Sequence, residues 1–217
     1  MEKKEKEKLL INNLSVYEEA FIIVDMVNGF AREGVLASPL VEKIIPNVVS
    51  YVEQAKKDGS LLIFIKDTHD QDAVEFQRFG GEPHCLRGTQ EAELVDELRA
   101  FEEDGISFEK NSTSFMFSKN PNFKYGFMEM LDQLTHLKKV KICGCCTDIC
   151  DINGTLPMMN YFDENNRGME VELLEDAMAT YDAPWHNAEE YEKAAYLLME
   201  QQGAKKVKKL GGESNER

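Results

Sequence analysis

Two five-residue runs without a polar side chain constrain this chain more than anything else in it: Ala-Phe-Ile-Ile-Val at 20–24 and Leu-Leu-Ile-Phe-Ile at 61–65. Such runs are strand-length and apolar on both faces, which suits central strands of a parallel sheet covered by helices on each side. Between them, residues 38–57 place Leu40, Ile44, Ile45, Val48, Val49 and Val52 on one helical side, and Asp58 and Gly59 close that helix. Further strands are expected at 140–143 and 106–110, at 169–176 by alternation, and as a weak edge at 205–207. Helices are expected at 90–98, 125–134, from near Asp148 through Met159, and at 187–202. Strands alternating with helices throughout imply an α/β fold with a mostly parallel sheet in a three-layer αβα arrangement.

A chain of 217 residues fits one domain with a substantial core, and it shows no internal repeat or linker. Residues 1–10 and 208–217 are charged or polar and are expected as flexible ends. A net charge of −15 argues against a nucleic-acid or anionic-membrane surface. No apolar run reaches membrane-spanning length, and no apolar segment of signal-peptide kind follows the charged N-terminus. Of five cysteines, three crowd into 143–146, unlike a secreted disulfide framework. A reduced, cytoplasmic protein is expected.

The chemistry lies where the strands end. Asp25 follows the first run, Asp67 and His69 follow the second, and Lys110 ends the third strand. The stretch Val-Lys-Ile-Cys-Gly-Cys-Cys-Thr-Asp-Ile-Cys at 140–150 reads as a strand that stops at Gly144 and turns into a helix. Thr147 and Asp148 are helix-starting residues, which places Cys150 in a first turn, where the positive helix end favours a thiolate. Cys143, inside the apolar run, reads as a buried structural cysteine. Taken singly, Asp25 reads as a turn residue and Lys110 as a surface charge. Together, a parallel sheet brings Asp25, Lys110 and Cys150 to one edge, where an acid–lysine pair can hold a base for the thiol. Asp67 and His69, two apart on extended chain, point to the same side, and with His84 they make a ligand set for a catalytic metal with an open position. The long loop from 71 to 89, rich in glycine and charge, belongs to the same edge.

From residue 21 to about 176 the chain resembles the isochorismatase-like cysteine hydrolases, and among them the nicotinamidases. The resemblance rests on Ile-Val-Asp-Met-Val-Asn-Gly-Phe at 23–30, Asp-Thr-His at 67–69, Pro-His-Cys-Leu-Arg-Gly-Thr at 83–89, Glu109 with Lys110, and Gly-Cys-Cys-Thr-Asp-Ile-Cys at 144–150. It implies an isochorismatase-like, Rossmann-like fold with Cys150 as nucleophile, Asp25 as base and Lys110 as its cationic partner. It also implies a cis peptide before Cys146, with the N–H groups of Cys146 and Cys150 forming an oxyanion hole. One divalent metal ion (zinc, iron or manganese) is implied on Asp67, His69 and His84, with Glu75 as fourth ligand and Glu82 as its rival. Phe30, Phe79 and Thr113 match substrate-pocket positions. The family's usual valine after the nucleophile is Asp151 here, and residues 80–82 look expanded.

The implied reaction is hydrolysis of nicotinamide to nicotinate and ammonia through a cysteine thioester, a step of NAD salvage and pyridine nucleotide biosynthesis. The alternative is another small amide, carbamoyl or ureido substrate, for which Arg32, Arg78 or Arg87 would hold a carboxylate. Partners are then the small-molecule amide, with neither nucleic acid nor membrane, and homo-oligomer formation is left open. Lys110 is expected to keep Asp25 ionised at neutral pH.

Overall fold

A computed structural model describes residues 2–78, 81–123 and 125–208. Its framework is a six-stranded parallel sheet in the order β3-β2-β1-β4-β5-β6. The strands are β1 (Glu19–Val24), β2 (Leu61–Asp67), β3 (Ile106–Lys110), β4 (Lys139–Cys145), β5 (Glu170–Ala179) and β6 (Lys205–Val207). Chain order runs outward from β1 to β3, returns to β4 on the other side of β1, and continues outward to β6. Right-handed crossovers therefore put the connecting helices of the two halves on opposite faces. Helices α2 (Asn28–Ala31), α3 (Pro39–Asp58) and α4 (Asp96–Glu102) contribute to one apolar layer. Helices α5 (Phe127–Gln133), α6 (Ile152–Glu164) and α7 (Ala188–Gln201) contribute to the other.

The two apolar runs sit as their composition demands. In β1, Ala20, Ile22 and Val24 face the α5–α7 layer, while Phe21 and Ile23 face the α3 layer. In β2, Leu61, Ile63 and Ile65 divide from Leu62 and Phe64 in the same way. This is the two-residue alternation of a strand buried on both sides. Helix α3 opens with the Ser38 hydroxyl accepting from the Leu40 N–H and closes at Gly59 with φ 77°. Gly144 has φ 128°, and a Cβ there would lie 2.0 Å from the Val24 carbonyl oxygen, so only glycine lets β4 approach β1 at its end.

Several element boundaries differ from the sequence expectation. The helix expected at 90–98 is a short 3₁₀ turn, Gln90–Ala92, followed by α4. The intervening backbone is claimed by the β1–α2 connection: the Asn28 N–H donates to Glu93 O and the Val95 N–H to Met26 O. Strand β4 runs on to Cys145, and β5 continues to Ala179 past an irregularity in its pairing with β4. The N-terminal charged run forms α1 (Lys3–Asn12), held by a buried Glu7 that accepts from the Ser107 N–H and from Asn120 and Asn122. Edge strand β6 forms as expected, parallel to β5. No helix among the described residues is long and apolar enough to cross a membrane.

Candidate active site

The strand order reverses between β1 and β4, and ligands of open parallel sheets gather outside the carboxyl ends of strands at such a point. Asp25 is the first residue beyond β1 and is fully buried, with φ 50°. Its N–H donates to Ile65 O, and its carbonyl accepts from the Cys145 thiol. These bonds hold an aspartate in the left-handed region, which short polar side chains tolerate best. Lys110 ends β3, and register sets it beside Asp67, the last residue of β2. Its ammonium lies 2.5 Å from Asp67 Oδ1, 2.9 Å from Asp25 Oδ2 and 3.4 Å from Cys150 Sγ. Lys110 is 2 % exposed. The surface-charge reading of this lysine is therefore wrong, and the expected meeting of Asp25, Lys110 and Cys150 is what the sheet produces.

The two carboxylates around Lys110 are driven apart in acidity. Burial raises both. For Asp67 the Lys110 charge and the hydrogen bond to His69 outweigh it and hold the group at about 2. For Asp25 the Lys110 charge and the weaker pull of its Lys110 and Cys150 contacts fall short of burial, which lifts it to about 7, with the Asp67 charge adding to the rise. Full ionisation of Asp25 at neutral pH, the sequence expectation, is thus corrected to a group poised at neutrality. Divergent environments of this kind mark out an acid–base group.

Cys150 lies in a π-helical turn, Thr147–Asp151, that leads into α6. Neither Thr147 nor Asp148 caps it with a side chain. The thiol is 5 % exposed, and burial pushes its pKa well up against the opposing pull of Lys110. The expectation that the helix start would favour a resting thiolate fails for that reason. The Cys145–Cys146 peptide is cis, and the Cys146 N–H has no backbone partner among the described residues. Cys143 is buried in the α3-side core. Asp151 is fully buried with neither oxygen hydrogen-bonded, and burial pushes its carboxyl well above the usual carboxylate range.

Asp67, His69 and His84 converge, each offering a donor atom within 4.8 Å of the others. His69 Nε2 is 2.8 Å and His84 Nε2 3.7 Å from Asp67 Oδ2. The other ring nitrogens are engaged: His69 Nδ1 lies 3.0 Å from Asn111 Oδ1, and His84 Nδ1 lies 3.1 Å from Glu82 O. With each Nδ1 engaged outward, Nε2 is the ring nitrogen each histidine turns toward Asp67; His69 Nε2–H donates to Asp67 Oδ2, a proton that a bound divalent ion would replace. One carboxylate oxygen and two imidazole nitrogens so oriented fit a divalent ion. Glu75 does not join this cluster. In its short turn, Val74–Gln77, the buried member is Phe76, whose ring lies 5.0 Å from that of His69 and 5.1 Å from that of His84. Glu82 meets His84 through its backbone carbonyl and not its carboxylate.

Among the expected pocket residues, Phe30 is buried with its ring 6.1 Å from that of His84. Thr113 is half-buried in the segment after β3. Phe79 lies outside the described residues. Sequence reasoning missed Phe76 and Asn111. Asn111 gave no signal, because an asparagine in a polar loop is what any turn carries.

An isochorismatase domain family model matches residues 19–207. The chain is 28% identical over 206 residues to nicotinamidase 1 of Arabidopsis thaliana, covering 88% of this chain and 80% of that protein. It is 32% identical over 139 residues to a probable inactive nicotinamidase of the same plant, covering 60% and 67%. Among solved structures, the pyrazinamidase of Pyrococcus horikoshii in complex with zinc superposes with a TM-score of 0.68 at 30% identity, over 88% of this chain and 99% of that one.

Proposed function

The chain belongs to the isochorismatase domain family, and from that premise we propose that it is a cysteine amidohydrolase converting nicotinamide to nicotinate and ammonia. The observation that carries this reading is the buried Lys110 ammonium, in contact with Asp25, Asp67 and Cys150 at once. It joins an acid–base group and a thiol to the Asp–His–His set through one side chain. Against the likeness to a probable inactive nicotinamidase, the presence of Asp25, Lys110 and Cys150 together supports an active enzyme.

Asp25, half ionised near neutrality, takes the Cys150 proton as Sγ bonds to the carboxamide carbon, and Lys110 balances the charge that develops. The N–H groups of Cys146 and Cys150 receive the oxyanion. Asp25 returns its proton to the departing amine, so ammonia leaves and a thioester remains. Asp25 then takes a proton from water, whose oxygen attacks the thioester carbon. The C–S bond breaks, the proton returns to sulfur, and nicotinate is released. Asp67, His69 and His84 would hold a divalent ion that, when bound, supplies a Lewis-acidic anchor for the pyridine nitrogen. Phe30 and Phe76, both against the histidines, would line the flat slot.

Of the three arginines that could hold a substrate carboxylate, two are engaged elsewhere. Arg32 pairs with Glu42 and Glu97, and Arg87 with Asp70 and Glu109. That favours a neutral amide. The test is ammonia release from nicotinamide beside a panel of carbamoyl and ureido compounds, with Cys150→Ala as the blank. Turnover of a carbamoyl acid in preference to nicotinamide would overturn the substrate assignment. A role in NAD salvage follows from the substrate and shares its test.

A further inference from the structure

Beyond β5 the chain folds back over the turn that carries Cys150, and one side chain makes the connection. His186 lies in a tight loop closed by reciprocal backbone bonds with Ala183, each 2.9 Å. It is 5 % exposed, although Trp185 beside it is 78 % exposed. Its ring is stacked on Tyr181 at 4.0 Å and 10°, and on its other side Tyr191 of α7 lies at 3.9 Å and 27°. At its edges, Nδ1 is 2.9 Å from Tyr181 O and Nε2 is 2.8 Å from Asp148 Oδ2. The ring is thus held at both edges, by the Tyr181 carbonyl and the Asp148 carboxyl group.

Asp148 stands two residues before Cys150, inside the π-helical turn. Its Oδ1 is buried without a partner, so the bond to His186 is the one that fixes this side chain among the described residues. The turn needs such support. π-helical turns are rare, and this one has no side-chain cap; the N–H groups of Ile149 and Asp151 both converge on Cys146 O. We propose that His186 is a positioning residue for the nucleophile: through Asp148 it sets the Thr147–Asp151 turn and thereby places Cys150 Sγ against Lys110. This rests on the reading of Cys150 as nucleophile. Misplacing a reacting group by about 1 Å costs roughly 10²-fold in rate, which sets the scale of the effect.

The experiment compares His186→Ala, Asp148→Ala, Asp148→Asn and the His186→Ala/Asp148→Ala double variant with wild type. Each variant is first checked for a cooperative thermal transition. Two readouts follow: kcat and KM for whichever amide of the panel is hydrolysed, and the rate at which iodoacetamide alkylates Cys150, followed by peptide mass spectrometry. The second readout needs no substrate. His186→Ala and Asp148→Ala should each lower kcat about 10–100-fold with KM within about 3-fold, and slow alkylation as Sγ leaves the ammonium. The double variant should be no worse than either single one, because both remove the same link. Asp148→Asn should stay within about 3-fold of wild type, since its amide can donate to Nε2 of a neutral ring that still donates from Nδ1. Wild-type kcat and an undiminished alkylation rate in His186→Ala, with Cys150→Ala inactive, would overturn the positioning role alone. So would an Asp148→Asn variant as damaged as Asp148→Ala. An active Cys150→Ala would instead overturn the nucleophile reading beneath it.

Discussion

Replacing Lys110 by methionine keeps most of the unbranched side chain and removes the ammonium that Asp25, Asp67 and Cys150 share. Removing one partner of a buried ion pair costs about 3–5 kcal/mol, because the other charge stays in the interior. If about 3 kcal/mol of that falls on ionised Asp25, at about 1.4 kcal/mol per pH unit, its midpoint moves up by about two pH units, from the about 7 it has beside Lys110. The ionised fraction at pH 7 then drops from about half to about 1 %, a loss of roughly 50-fold in available base. Cys150 also loses the ammonium 3.4 Å from its sulfur, so the total fall in kcat should be about 10²–10³-fold. The assay is ammonia release from saturating nicotinamide between pH 5 and pH 10, with metal content measured because Lys110 also holds Asp67. The acidic limb should shift about two pH units upward. That limb belongs to the coupled Asp25–Lys110–Cys150 group and not to one residue. Lys110→Arg should recover only a minor part of the rate, because a planar guanidinium cannot fill a site that meets three partners at 2.5–3.4 Å. A Lys110→Met variant with full kcat and an unmoved acidic limb would refute this reasoning.

Cys150→Ala should lose several decades of kcat, while Cys146→Ala keeps most of it, since only the Cys146 N–H is used; near-wild-type turnover in Cys150→Ala would remove the nucleophile assignment. Cys143→Ala should lower the melting temperature and leave kcat in place, its side chain being packed in the α3-side core. Asn111→Ala should weaken divalent-metal affinity about 10–100-fold in chelator competition, because His69 loses the oxygen that orients it, and an unchanged affinity would count against the site. Asp151→Val should stabilise the fold by roughly 1–3 kcal/mol at pH 7 by removing an unpaired buried carboxyl. Its pKa is raised in the folded state, so folding retains a proton that the unfolded chain releases near pH 4, and the cost of Asp151 grows as pH rises above that. The gain should accordingly shrink at pH 4 in thermal melts, and a lower melting temperature at pH 7 would contradict it.

The sequence by itself determined the layered parallel sheet. The apolar runs of β1 and β2 have no stable environment except a sheet interior covered on both faces, and α3 carries its own start, stop and apolar side. It also placed Asp25, Asp67, His69 and Cys150 at strand ends, and the two-residue spacing of Asp67 and His69 was enough to bring their side chains into contact. What only the tertiary structure decided depends on pairings between distant segments. Lys110 looks like any exposed lysine until β3 docks in register on β2 and buries its ammonium between two carboxylates. In the four-residue turn Val74–Gln77 periodicity cannot choose the inward member, and packing against the two histidine rings selects Phe76 over Glu75. The expected helix across 90–98 divides because its middle bonds to the β1–α2 connection more than 60 residues earlier. The acidities of Asp25 and Cys150 follow from burial, a property of the assembled layers. Local chemistry wrote the strand ends; the register and depth of the sheet set what those ends can do.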